Sequence, residues 1–126
     1  MYGYKKQVKG SYEEVVTRTR AELKKEGFGV LTEIDVKKTL KEKLGADFDN
    51  YIILGACNPP FAFRALQAER DIGLFMPCNV IVYEDMGKVF VSAIKPTLAM
   101  NMTGNPALAP LADEVERKLK KAVDAV

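Results

Sequence analysis

Two valine-rich runs, residues 78–83 and 88–94, flank the turn Glu84-Asp85-Met86-Gly87, and together they set the tightest limit on the fold. Val80 and Val82, then Val89 and Val91, recur at every second position. β-branched residues at that period favour extended backbone with one face packed. A turn this short joins antiparallel neighbours, because parallel strands need a crossover of a dozen or more residues. Half-polar strands elsewhere in the chain agree with an antiparallel sheet, since parallel strands are usually buried on both faces.

The remaining elements read outward from this hairpin. Tyr2, Tyr4 and Val8 share one parity and predict a short first strand. Ser11-Tyr12-Glu13-Glu14 has the form of a capping box, and Val15, Val16, Thr19 and Leu23 form the apolar stripe of the helix behind it, which Gly27 ends. Residues 28–34 alternate Phe28, Val30, Thr32 and Ile34 against Gly29, Leu31 and Glu33, as a second strand would. Asp35 is placed to cap a brief helix carrying Val36, Leu40 and Leu44, with Gly45 as its stop. The continuous apolar run 51–56 predicts a strand covered on both faces and placed centrally in the sheet. Asn58-Pro59-Pro60 then suits the start of a third helix, which runs out near Asp71 and Gly73. Residues 96–107, with Pro96, Gly104 and Pro106, read as a long irregular loop. Leu111, Val115, Leu119, Ala122 and Val123 mark a terminal amphipathic helix. This order predicts a single α+β domain over residues 1–126, a two-layer sandwich of about five mostly antiparallel strands with helices on one face.

Composition enters through its distribution. The chain has 19 basic and 17 acidic side chains, a formal charge of +2, yet residues 51–110 hold only four of each sign. That charge-poor middle is buried, faces a partner or lines a pocket. A charge so small and so interspersed provides no field for phosphates, so nucleic acid is not an expected partner. The N-terminus lacks the apolar core of a secretory signal, and no stretch approaches a membrane span, so a cytoplasmic protein without a membrane partner is expected. With no histidine, a Cys-His dyad and imidazole zinc ligands are excluded. Binding is therefore expected over catalysis, with no catalytic residue, cofactor or resident metal assigned.

One constellation falls in the charge-poor middle. Gly55-Ala56-Cys57-Asn58-Pro59-Pro60 joins a strand to a helix, and Met76-Pro77-Cys78-Asn79 opens the next strand, so each cysteine is followed by asparagine. If strands 51–56 and 78–83 are antiparallel neighbours, Cys57 and Cys78 share one edge of the sheet; in a parallel arrangement they stand about 20 Å apart. A thiol near a helix N-terminus is expected to have a depressed pKa, and the helix start can offer N–H groups to an anion or carbonyl, less the two that Pro59 and Pro60 lack. Both cysteines also suit an inert role as small core residues. Arg64, among the few charges of the third helix, completes a candidate ligand set of Cys57, Asn58, Cys78, Asn79 and Arg64.

The segments Gly55-Ala56-Cys57-Asn58-Pro59 and Ile72-Gly73-Leu74-Phe75-Met76-Pro77-Cys78-Asn79-Val80, with the hairpin behind them, resemble the domain of unknown function 302 family. The likeness extends from about Val30, through Thr32 and Asp35-Val36-Lys37, to Pro96, and more loosely over the terminal helix. It implies a TATA-binding-protein-like α+β fold, a homodimer, and the shared edge for Cys57 and Cys78. It supplies no reaction. Two functions follow as expectations: a homodimeric accessory protein binding a small ligand or partner at this edge, or a thiol redox or soft-metal protein acting through Cys57 and Cys78, with Met76 as a further soft ligand.

Overall fold

A computed structural model describes residues 1–126. Five strands, β1 (Gly3–Val8), β2 (Gly29–Asp35), β3 (Tyr51–Cys57), β4 (Cys78–Asp85) and β5 (Lys88–Ile94), form one sheet in the order β1-β5-β4-β3-β2. Every neighbouring pair is antiparallel. The helices are α1 (Tyr12–Lys25), α2 (Val36–Leu44), α3 (Pro59–Ala68), α4 (Pro96–Asn101) and α5 (Ala109–Ala125), with 3₁₀ turns at Arg70–Phe75 and Pro106–Leu108. The α+β sandwich read from the sequence is the fold observed.

Local chemistry sets most boundaries. Ser11 Oγ accepts from the Glu14 N–H at 3.2 Å, although the reciprocal bond of a full capping box is not made. Gly27, at φ 87°, closes α1 while the Phe28 N–H reaches back to the Leu23 carbonyl. Asp35 Oδ1 accepts from the Lys38 N–H at 3.0 Å, and Gly45 at φ 66° ends α2. The main core lies between one sheet face and the helices α1 and α5. Leu54, Val80, Val82 and Val91 from the sheet meet Val15 and Leu23 of α1 and Leu119 and Val123 of α5, all fully buried. Thr19 joins them because its hydroxyl donates to the Val15 carbonyl at 2.7 Å, satisfying a polar group that burial would otherwise penalise. On the opposite face Tyr51, Tyr83 and Phe90 stack across β3, β4 and β5 with centroids 5.3 Å apart at each step. Lys5 Nζ stands 4.5 Å from the centroid of Phe90.

Three expectations are corrected. β4, not β3, is the middle strand, because β1 returns to pair with β5 and adds a strand on that side. β3 is fully buried only at Ile52, Leu54, Gly55 and Ala56; Tyr51 and Ile53 face the uncovered side and are half-buried. Residues 96–107 are not a long loop. Pro96 occupies the first turn of α4 and Pro106 that of a 3₁₀ turn, positions where a missing N–H costs nothing. Lys95 provides no side-chain cap for α4; instead Glu116 of α5 accepts from the Thr97 N–H and hydroxyl at 3.3 and 2.7 Å.

Candidate functional site

The sheet edge where β3 ends and β4 begins opens on a cavity of about 310 Å³. β3 and β4 pair with Ala56 opposite Cys78, so the antiparallel arrangement brings Cys57 and Cys78 to the same edge. α3, α4 and the first turns of α5 complete the walls. The cavity separates two apolar clusters: the main core, and a smaller one of Ala65, Ile72, Met100, Leu108 and Ala112. Phe28, Ala56 and Val115 line it from the first, Ala65 and Met100 from the second.

Gly55 is the residue that allows this edge to form. A Cβ there would lie 2.0 Å from Thr32 Oγ1 and 2.7 Å from Pro77 Cγ, inside van der Waals contact, so only glycine admits both neighbours. Thr32 reaches that place because β2 bulges between Val30, which pairs with Ala56, and Thr32, which pairs with Gly55. Leu31 is the extra residue of the bulge and lies at the cavity.

Of the candidate residues, Cys57, Asn58 and Cys78 line the cavity, as does Met76. Asn79 is exposed and pairs with Gly55, one residue out of phase with Cys78 and hence on the opposite face of the sheet. Arg64 is exposed on α3, its guanidinium 5.2 Å from the centroid of Phe61, and is not among the lining residues. Asn58 does not cap α3. Pro59 and Pro60 leave the first turn with Phe61 as its sole free N–H donor, and Asn58 instead donates through Nδ2 to the Glu26 carbonyl at 3.1 Å. That bond ties the start of α3 to the end of α1 and accounts for the burial of an asparagine.

The electrostatics reverse a second expectation. Burial pushes the Cys57 thiol up from its ordinary value, and burial, with a smaller contribution from nearby Cys57, pushes Cys78 up to about 11. Both are thiols rather than thiolates at neutral pH. Two prolines in the first turn of α3 leave too few free N–H groups to offset the desolvation. No group of three or more His, Cys, Asp or Glu side chains is arranged to hold a metal ion. Of the 20 lining residues 16 are hydrophobic, none is charged, and Thr32 and Asn58 are the only side chains carrying oxygen or nitrogen.

Sequence reasoning missed Leu31, Leu66, Phe75 and Met100. Leu31 did leave a signal, an apolar residue on the polar parity of β2. Leu66 and Phe75 are 41% and 42% exposed yet line the cavity, which places them at its mouth. Met100 was hidden because a six-residue helix is too short to show a period.

No helix is long and apolar enough to cross a membrane. No curated protein matches the chain. A solved structure described as an uncharacterized conserved protein DUF302 from Bacillus stearothermophilus is similar to it with a TM-score of 0.93 and 36% sequence identity, over 99% of this chain and 98% of that one. The family model for the domain of unknown function DUF302 matches residues 4–126. With the Gly-Ala-Cys-Asn-Pro turn and the Met-Pro-Cys-Asn strand start meeting at one sheet edge, the chain belongs to the DUF302 family.

Proposed function

We propose that this protein is a homodimeric accessory protein that binds a small ligand in the cavity beside Cys57, Asn58 and Cys78. The observation that carries the reading is the cavity itself: about 310 Å³ of largely apolar space between two packed clusters, at the size where small-molecule pockets begin. The cavity is open at its mouth and leaves apolar wall in reach of water, and a ligand that covers that wall stabilises the folded chain. Amide chemical shifts recorded against a set of small apolar and polar fragments test it. Shifts confined to Cys57, Ala65, Met100 and their neighbours are expected, and a set that leaves these amides unmoved overturns the reading.

Support for the dimer comes from the uncovered sheet face. Tyr51, Ile53, Ile81, Tyr83 and Phe90 are only half-buried there, and a second copy placed about a two-fold axis would bury the same row on both partners. Sedimentation equilibrium should give a dimer that Ile81→Lys dissociates; a monomer at all concentrations sinks this part.

The thiol reading retains one specific observation, the adjacency of Cys57 and Cys78 at the edge. Thiol labelling of the native protein with and without Cu(I), in the parent and in Cys57→Ser, separates it from ligand binding. Slow, metal-indifferent labelling is expected here, because burial holds both groups protonated.

A further inference from the structure

The binding reading leaves the class of ligand open, and the walls of the cavity restrict it. Resting on that reading, we propose that the occupant is an uncharged aromatic molecule of about two fused rings carrying one O–H or N–H donor, and that the site rejects the carboxylate of the same skeleton.

Size sets the first limit. A cavity of about 150 Å³ lined by aliphatic and aromatic side chains takes up benzene. The present one, at about 310 Å³, has room for roughly a second ring.

Charge sets the second. No lining residue is charged, and the first turn of α3 has lost two N–H donors to Pro59 and Pro60. A carboxylate would be desolvated without a cation, and of the two Asn58 Nδ2 hydrogens one is already committed to the Glu26 carbonyl, so at most a single neutral donor remains to it. Asn58 Oδ1 receives no hydrogen bond from the protein, so a neutral ligand with a single donor finds an acceptor at this wall.

The third limit is the kind of apolar surface. Phe28, Phe61 and Phe75 provide rings, and Met76 and Met100 bring polarizable sulfur that packs well against aromatic edges. Leu31, Leu66 and Phe75 remain exposed at the mouth, so the way in is apolar as well.

Isothermal titration calorimetry at pH 7 with 2-naphthol and 2-naphthoate, on the parent, Ala62→Phe and Ala99→Phe, tests this. Ala62 and Ala99 line the cavity from α3 and α4, so the two substitutions fill it from different walls, and one suffices if the other fails to fold. The expected result is saturable binding of 2-naphthol, about tenfold or more tighter than 2-naphthoate, and lost on filling the cavity. Equal or tighter naphthoate binding that the fillings abolish overturns the ligand class while leaving the pocket reading intact. No binding of either probe, or binding indifferent to both fillings, overturns both.

Discussion

The domain contains two apolar regions built on different terms. Between the sheet and α1 and α5, sixteen buried residues form one continuous core, with Leu54, Val80, Val82 and Val91 fully enclosed. Beneath α3 and α4 only five buried residues cluster, and the cavity separates them from the first set. The secondary structure differs in the same sense. α1 runs 14 residues and α5 17, each with a continuous stripe, whereas the second region is assembled from α3, the six-residue α4, two 3₁₀ turns and only the first turn of α5. It is held together by polar pins: Glu116 on Thr97, and Asn105, whose Nδ2 donates to Ala68 O and Glu69 Oε1. Close packing in the first region leaves no space for a guest. The second region packs around an open cavity, with polar bonds at its margins.

The largest test of this contrast is truncation. Leu54→Ala should lower unfolding free energy by about 3–5 kcal/mol, while Met100→Ala, already beside a cavity, should cost about half as much or less. Urea denaturation measures both, and equal losses would erase the distinction. Next in size is Gly55→Ala, whose Cβ meets Thr32 and Pro77; a loss of about 2 kcal/mol is expected, partly restored in the double variant with Thr32→Ala. Enlarging small residues should then give opposite signs. Ala93→Leu overpacks the main core and should destabilise by about 1–3 kcal/mol, whereas Ala62→Leu fills space and should be neutral or stabilising by up to about 1 kcal/mol. Thermal unfolding read by circular dichroism decides between these outcomes.

The last test concerns pH, and at neutral pH its effect is nil. Cys78 has its folded pKa raised from 9.0 to about 11, so its contribution to stability is complete below pH 9. Above that the unfolded chain loses the thiol proton first, and stability falls as pH rises towards 11. Cys78→Ala should flatten this part of the stability profile between pH 9 and 11. Tyr12, raised to about 12 chiefly by burial, keeps the remaining alkaline slope in place.

What was legible in the sequence is what is local. The hairpin, the Ser11 and Asp35 caps and the stops at Gly27 and Gly45 each occupy a few adjacent residues and stand where expected, whereas α3 ends at Ala68, short of Asp71 and Gly73. Antiparallel pairing then sufficed to bring Cys57 to Cys78. The cavity could not be read in the same way, because its walls come from segments as distant as Phe28 and Val115, each apolar for reasons a core would equally explain. Asn58 stands at the N-cap position, as the Asn-Pro-Pro pattern implies, but Pro60 removes one of the two donors a cap serves and the side chain turns to the Glu26 carbonyl instead. Arg64 stands out in the sequence for its charge in a charge-poor stretch. Helical phase puts it on the outside.

The pairing of the first strand with a late one has a consequence for how the chain is made. Tyr4 donates its hydroxyl to Asp124, 120 positions away, and Lys6 donates to the Asp124 and Val126 carbonyls. β1 finds its strand partner only in β5, and its anchoring only in the last turn of α5. During synthesis it waits as an unpaired strand until β5 has emerged, and for its anchoring until α5 is complete. Its sequence suits that wait: Lys5, Lys6 and Gln7 occupy the middle of the strand, and lysines on an unpaired edge discourage association with other chains. The polar character of β1 is thus a safeguard for the nascent chain, and exchanging those lysines for valines should increase aggregation during expression more than it changes the finished fold.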